Sequence, residues 1–381
     1  MRLLMVSGDR LLAAGKRGPF WHLQKEFSRH FERIDVLHPR PVGPVVETEF
    51  FDGRLHLHPA DCGRAGMLAY LKRRGAELIA EQRPVLIVSH DYGWFYNGLA
   101  SAWLSGRTGV PYLSEIHHVP GVPVAADARE RLDRFVARRY VAWAKSRARA
   151  FRVVNHGEMP ALLRGWGVPD EKICVLGSLY MDLATFSPPE NAVEPEQELV
   201  FVGRMVNNKG LDRIVEAVAQ LRAEGRPHRA LLVGSGPFQE RTAARVRELG
   251  LGDAVRFVEW VGDAADLAEV YRKSRVVVCA STCEGGPRFT VEAMACGTPC
   301  VSTRVGVMGE LLEDGAAGRL VDFTAGGLAA GLTEVLGDEE RRLAMGRAAR
   351  AIAERFEYAD MIRGYADGLK RLVGEEERRS A

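Results

Sequence analysis

Short runs of β-branched and aliphatic residues alternate along the chain with stretches whose apolar positions recur every three or four residues. That alternation is the pattern of βα units built around a parallel sheet. In the second half the runs LVFVG (199–203), ALLVG (230–234), VRFV (255–258) and VVVCA (276–280) predict strands separated by helices. The first half is looser, with RLLMVS at its start, then RIDVLH (33–38), PVLIVSH (84–90), VPYLSEIHH (110–118) and AFRVVN (150–155). Between them FSPPENAVEPEQE (186–198), rich in Pro and Glu, breaks the periodicity and reads as a linker. The pattern predicts an α/β protein of two doubly wound, Rossmann-like domains facing across a cleft, residues 1–185 and 199–355. Gly203, Gly234 and Ser281 directly follow predicted strands, so their loops open at the carboxyl edge of the sheet, where open α/β folds bind ligands.

A length of 381 residues suits two cores better than one, and 46% hydrophobic with 27% charged residues describes an ordinary packed protein. The net charge of +2 denies the molecule the basic field of a nucleic-acid binder, and no nucleic-acid partner is expected. The halves differ, however: residues 1–185 carry a net +7, the remainder −5, and nine of the ten histidines lie in the first part. Such asymmetry suggests that the halves meet different ligands. MRLLMVSGDR has too short an apolar stretch for a secretory signal, and the longest uncharged run, Tyr92 to Gly106, falls short of the about 20 residues that cross a bilayer. A cytoplasmic protein is expected. The cysteine pairs 279/283 and 296/300 suggest buried apolar thiols rather than a zinc site. No G-x-G-x-x-G follows the first strand and no Walker loop occurs, which argues against a dinucleotide oxidoreductase and a P-loop enzyme.

The densest chemistry lies in STCEGGPRFTVEAMACGTPCVSTRVG (281–306). Glu284 falls in the loop after a buried strand, and Glu292 about a turn into the next helix, whose first turn spans Pro287, Arg288, Phe289 and Thr290. Carboxylates accept hydrogen bonds in pairs and suit the vicinal hydroxyls of ribose or hexose. Gly285 and Gly286 permit close backbone approach, and a helix amino end with Arg288 attracts phosphate. Upstream, Arg204 and Lys209 stand on one loop at the ligand edge, suited to a diphosphate, although such a pair taken alone also describes a solvated basic loop.

Together these segments resemble glycosyltransferase family 4, the retaining group with the GT-B fold. The family's Glu, seven residues, Glu is similar to Glu284 and Glu292 within EGGPRFTVEAMACGTPCVST. VGRMVNNKG resembles its "VGR…KG" loop, LLVGSGP its "VG.GP" turn, and GELLEDGAAGRLVD its late "E…DG..G.L" segment. The resemblance implies that Arg204 and Lys209 grip the donor diphosphate, that Glu284 holds donor-sugar hydroxyls and that Glu292 holds the ribose. It also implies metal-independent stabilisation of the leaving group, with no cofactor and no metal site. Asp263 to Asp266, a D-x-x-D, reads as a helix cap. In the first half VPYLSEIHHVPG resembles the family strand that ends in a histidine, which puts that role on His117; His118, its neighbour, would point away if both lay on a strand. AAGKRGPFWHL resembles the early glycine loop, with Gly18 the better match for phosphate contact and Lys16 a further candidate. Leu179-Tyr180-Met181-Asp182 stands where the family often has N-G-V-D, and GVMGE (306–310) replaces its G-G-x-x-E. The closing stretch, 356–381, resembles the last GT-B helix, which crosses back onto the first domain.

Residues 129–152 hold nine basic and two acidic side chains, with an apolar stripe of Leu132, Phe135, Val136, Tyr140 and Trp143. Two readings stand: a helix resting on anionic lipid, or a surface helix whose stripe packs onto the sheet. Tyr92, Trp94, Phe95 and Tyr96 likewise suit either a lipid acceptor or core packing. The expected activity is retaining transfer of a sugar from a nucleotide-diphosphate donor to a hydroxyl of a glycan or lipid-linked acceptor, in the cytoplasm or peripherally on the inner membrane face. A catalytically silent nucleotide-sugar-binding subunit, a nucleotide-sugar epimerase and a glycan phosphorylase are the alternatives.

Overall fold

The computed structural model describes residues 1–191 and 193–380, with side chains to Gly374; Ala192 of the expected linker and Ala381 of the closing segment lie outside the described residues. Two sheets organise the chain. The first contains β1 (Arg2–Val6), β2 (Arg33–His38), β3 (Glu49–Phe50), β4 (Leu55–Pro59), β5 (Leu86–His90), β6 (Tyr112–Glu115), β7 (Ala150–Val153) and β8 (Ile173–Val175), in the order β3-β4-β2-β1-β5-β6-β7-β8. All its pairings are parallel except that of β3 with β4. The second contains β9 (Gln197–Val202), β10 (Ala230–Val233), β11 (Val255–Val258), β12 (Ser274–Cys279), β13 (Cys300–Thr303) and β14 (Gly318–Val321), in the order β11-β10-β9-β12-β13-β14, parallel throughout.

Central strands such as ALLV and, after Arg2, LLMV are continuous apolar runs because helices cover both faces of each sheet. In both sheets the chain order reverses next to the first strand, between β1 and β5 and between β9 and β12. Loops leaving such a pair part to opposite faces and open a crevice. Arg204 and Lys209 follow β9, and Glu284 follows β12, so the topology delivers them to one place. Cys279, Cys283, Cys296 and Cys300 are buried thiols. Asp263 caps the helix Ala264–Arg272 in a reciprocal capping box with Asp266.

Two expectations need correction. The strand expected over 110–118 is β6 and ends at Glu115, so His117 and His118 lie beyond it, where alternation no longer sends neighbours to opposite faces. The apolar stripe of the helix Ala128–Ala144 also divides: Tyr140 is buried and Val136 and Trp143 pack beside it, while Leu132 and Phe135 are 51% and 59% exposed.

The helix Tyr358–Ser380 packs on the first domain. Ile362, Tyr365, Ala366 and Leu369 share a core cluster with Leu3, Met5 and Phe27, and the rings of Tyr365 and Phe27 stack at 4.8 Å. Tyr365 also donates its hydroxyl to Glu115 Oε1 at 2.5 Å. Glu115 is fully buried beside Arg152, whose Nη1 donates to Oε1 at 2.9 Å; Arg152 also donates from Nε to the Leu176 carbonyl and from Nη2 to that of Gly177. Burial opposes ionisation of Glu115, yet Arg152 and then His90 overcome it and hold the carboxyl well below the usual range. Truncating one partner strands the other charge without water. Arg152→Ala is expected to lose about 3–5 kcal/mol in urea unfolding, and joint replacement by Glu115→Gln and Arg152→Met to recover much of that loss.

Candidate active site between the two domains

The crevice of the second domain is built on the loops after β9 and β12. Lys209 donates to Glu284 Oε1, and Ser281 Oγ donates to the same oxygen at 2.8 Å; both members of the ion pair are largely buried. A cavity of about 600 Å³ opens beside the β9 loop, lined by Gly203, Arg204, Gly234 and Ser235, by Trp260 and, from the first domain, by Arg17 and His22. Trp260 is 81% exposed. Glu292 sits on the helix Arg288–Ala295 with both oxygens engaged: Arg288 Nε donates to Oε1 at 2.9 Å and the Tyr271 hydroxyl to Oε2 at 3.0 Å. The Arg288 guanidinium lies 4.6 Å from the Tyr180 ring, whose hydroxyl donates to the Pro19 carbonyl. Phe289 and Thr290 face the core: Phe289 packs edge-on to Phe201, and Thr290 is fully buried with its hydroxyl on the Pro287 carbonyl.

On the first-domain side, His117 is 42% exposed, with Nε2 3.9 Å from Glu115 Oε2 and 3.4 Å from Arg152 Nη1. Desolvation by the cleft walls, offset by Glu115 and reinforced by Arg152, lowers its pKa and favours neutral imidazole. His118 is lowered as well, by desolvation first, and experiences the charges of Glu284, Lys209 and Arg204. His90 Nε2 lies 3.0 Å from Glu115 Oε2. A cavity of about 210 Å³ joins His90, His117 and His118 to Tyr92 and Asp133. Asp91, in its wall, accepts from Ser89, Ser114 and Tyr140, and burial raises its pKa to about 6 despite those donors. Gly18 is the extended residue capping the helix Pro19–Phe27; Arg17 lines the larger cavity and Lys16 does not.

The domains touch closely. A Cβ on Gly285 would lie 2.6 Å from the His117 carbonyl oxygen, so the glycine lets the two loops meet, while on the other side Gly286 packs against Leu179. Asn207 donates to Asp127 at 3.0 Å. Glu310 accepts the backbone N–H groups of His156 and Gly157, each at 2.8 Å, and Glu158 accepts from Gly306 at 3.4 Å. These opposed bonds form a carboxylate clasp across the cleft.

Comparison with known proteins decides the family. The profile "Glycosyl transferase 4-like domain" matches residues 20–178, and "Glycosyl transferases group 1" matches 184–352. A D-inositol 3-phosphate glycosyltransferase of Kineococcus radiotolerans is 32% identical over 71% of this chain and 70% of its own length. The chain belongs to the family 4 glycosyltransferases. A relative of the same name from Segniliparus rotundus is 31% identical over 74% of this chain and 64% of its own, so the match spans less than two thirds of that protein. Sucrose-phosphate synthase of Thermosynechococcus elongatus superposes with a TM-score of 0.80 at 22% identity, over 98% of this chain and 99% of the other. Anabaena HepE in complex with UDP and glucose gives 0.74 at 19%, over 97% and 100%. These likenesses establish the GT-B fold.

Sequence reasoning about this glycosyltransferase passed over Arg17, Trp260, His90 and the Glu310–Glu158 clasp. Arg17 adjoins Lys16, and His90 ends the legible strand PVLIVSH; only the fold shows which of them faces a cavity. The clasp carries a pH dependence. Burial raises Glu158 to about 7, with Glu310 adding to it and the Gly306 N–H opposing. Its folded value exceeds that of the unfolded chain, so its stabilising contribution is full below about pH 4.3 and is lost as pH rises through about 7. Asp91 acts in the same sense over a lower window. Urea midpoints should therefore fall between about pH 5 and 7 on this account and level off above it, and Glu158→Gln should remove that part of the slope.

Proposed function

We propose that this enzyme is a retaining, metal-independent glycosyltransferase that moves a sugar from a nucleotide-diphosphate donor to a hydroxyl of a glycan or lipid-linked acceptor. The observation that supports it most is the convergence of Arg204, Lys209 and Glu284 on the crevice of the second sheet, opposite His117 and His118. Arg204 and Lys209 bind the diphosphate and neutralise charge as the nucleotide leaves, the work a metal does elsewhere. Arg17 adds a third cation from across the cleft. Lys209 exchanges part of its bond with Glu284 for the phosphate, freeing that carboxylate to accept sugar hydroxyls. Glu284 makes both of its present bonds through Oε1, leaving Oε2 for the same task. Glu292 receives the ribose, a role in which Arg288 and Tyr271 fix its orientation.

Trp260 offers an aromatic face to the base, and Gly203, Gly234 and Ser235 offer backbone groups. The UDP and UDP-glucose held by HepE favour a uridine donor here. His117, kept neutral, orients the sugar or the acceptor hydroxyl, and Gly18 meets the diphosphate through its backbone. Retention follows if the acceptor attacks from the face that the phosphate leaves, with a phosphate oxygen taking the acceptor proton. Domain closure excludes water from that step.

Among the described residues no helix is long and apolar enough to cross a membrane. Trp94, Leu132 and Phe135 are exposed, and the last two share the helix Ala128–Ala144 with five arginines. That combination supports a peripheral site on anionic lipid, where each nearby cation contributes about 1 kcal/mol.

Two measurements test this reading. In a thermal-shift panel of UDP, GDP and ADP without metal, UDP at 100 times its dissociation constant should add about 2.7 kcal/mol of stability. The gain should be lost in Arg204→Ala, and a flat panel with folded protein would remove the donor site. Leu132→Ser with Phe135→Ser should weaken binding to phosphatidylglycerol vesicles by about tenfold or more while leaving the UDP shift intact; unchanged vesicle binding would assign the patch no lipid role.

A further inference from the structure

The segment of the first domain between β6 and the helix Ala128–Ala144 reaches across the cleft to the two loops that carry Lys209 and Glu284. Asp127 stands at its end and gives its two oxygens different tasks. Oδ1 accepts the Glu130 N–H at 2.9 Å and caps the helix, while Oδ2 accepts the side-chain amide of Asn207 at 3.0 Å. Asn207 opens the short helical turn Asn207–Lys209, so this bond grips the loop two residues before Lys209. The Glu284 loop is tied in beside it. The Thr282 N–H donates to the Asn208 carbonyl at 2.8 Å, the Thr282 carbonyl accepts the Val124 N–H at 3.3 Å, and the Cys283 thiol donates to the Val119 carbonyl at 3.1 Å.

The ion pair between Lys209 and Glu284 is the bond with which an arriving diphosphate competes. Once the ammonium turns to phosphate, that side chain no longer ties the two loops together, and its long stem regains rotamer freedom. Placement of the charge then depends on the backbone that carries it. On the carboxyl side the backbone is fixed by Gly210, whose left-handed conformation (φ 68°) lies so close to the Ala280 carbonyl that a Cβ would overlap it. On the amino side the Asn207 side chain is an anchor, and the group it grips belongs to the other domain. The Glu130 N–H first, and Asn207 second, draw the Asp127 carboxyl below its usual range, so it serves as a charged acceptor through both oxygens.

We propose that Asp127 is a positioning residue for Lys209: acting from the first domain through Asn207, it sets where the Lys209 charge lies when the cleft is closed on a donor. The proposal rests on the reading of Lys209 as a ligand of the donor diphosphate; the tie between Asp127 and the Lys209 loop is independent of that reading. Its consequence is that the donor cation is fully placed only while the first domain is docked, which joins nucleotide binding to domain closure.

Calorimetric titration of the full chain with UDP tests this. Asp127→Ser keeps a good helix cap but is too short to reach Asn207, and Asn207→Ala removes the same bond without touching the cap. Each should weaken UDP binding by about five- to tenfold, the net contribution of one hydrogen bond, with an unchanged urea midpoint. Asp127→Asn caps through Oδ1 and donates through Nδ2 once the Asn207 amide turns over, and should bind UDP within about twofold of the parent. Lys209→Met supplies the readout that a merely structural role would not move: in that background Asp127→Ser should weaken UDP binding no further. Parent-like UDP binding in either Asp127→Ser or Asn207→Ala overturns the proposal, and so does a loss that persists in full beside Lys209→Met. If Asp127→Ser fails to fold, Asn207→Ala decides. If the parent binds no UDP, the uridine-donor reading falls, and hydrogen exchange at residues 207–210 and 282 then judges the tie: it stands if Asn207→Ala quickens exchange there and fails if the rates match the parent.

Discussion

A carboxylate buried without water stays charged only while cations surround it, and the first domain is arranged around that requirement at Glu115. Arg152 supplies the charge from the neighbouring strand, Tyr365 a hydroxyl from the last helix, and His90 a ring edge from the strand on the other side. Because Arg152 also holds two carbonyls of the segment leaving β8, the pair fixes where the chain departs for the second domain. His117 lies against this same network. The geometry of the cleft is thereby tied to a buried ion pair, an arrangement that contributes definition more than net stability.

The second domain works differently. Its cleft residues are delivered by topology, on loops leaving the two strands where the order reverses, and the ion pair between Lys209 and Glu284 is the one that the proposed donor would exchange. One side of the cleft is thus rigid and prepaired, the other charged and responsive. The carboxylate clasp at Glu310 and Glu158 joins them through backbone N–H groups, which lets either side chain release without stranding a cation.

Much of this was legible in the chain. Strands buried on both faces show as unbroken apolar runs, so β9 to β12 are legible within two residues, and Glu284 and Glu292 stand out by their places in the loop after a buried strand and in the helix that follows. The short edge strands β3, β8 and β14 were not legible, because two to four residues of mixed polarity carry little pattern. Where β6 stops was hidden too, since YLSEIHH alternates no differently after Glu115 than before it. Leu132 and Phe135 share the helical period of Tyr140, and only the position of the sheet beneath decides which of them is covered.

The last helix has a consequence for how the molecule is made. Ile362, Tyr365, Ala366 and Leu369 belong to the core of the domain synthesised first. A ribosome that has produced residues 1–185 has therefore released a domain with an open flank and with Glu115 lacking its hydroxyl donor. That domain must wait, partly assembled, through the synthesis of an entire second domain before its final element arrives. At about 5–20 residues per second the delay lasts roughly ten to forty seconds, an interval in which the exposed flank around Leu3, Met5 and Phe27 is the part of the nascent chain that a chaperone would recognise.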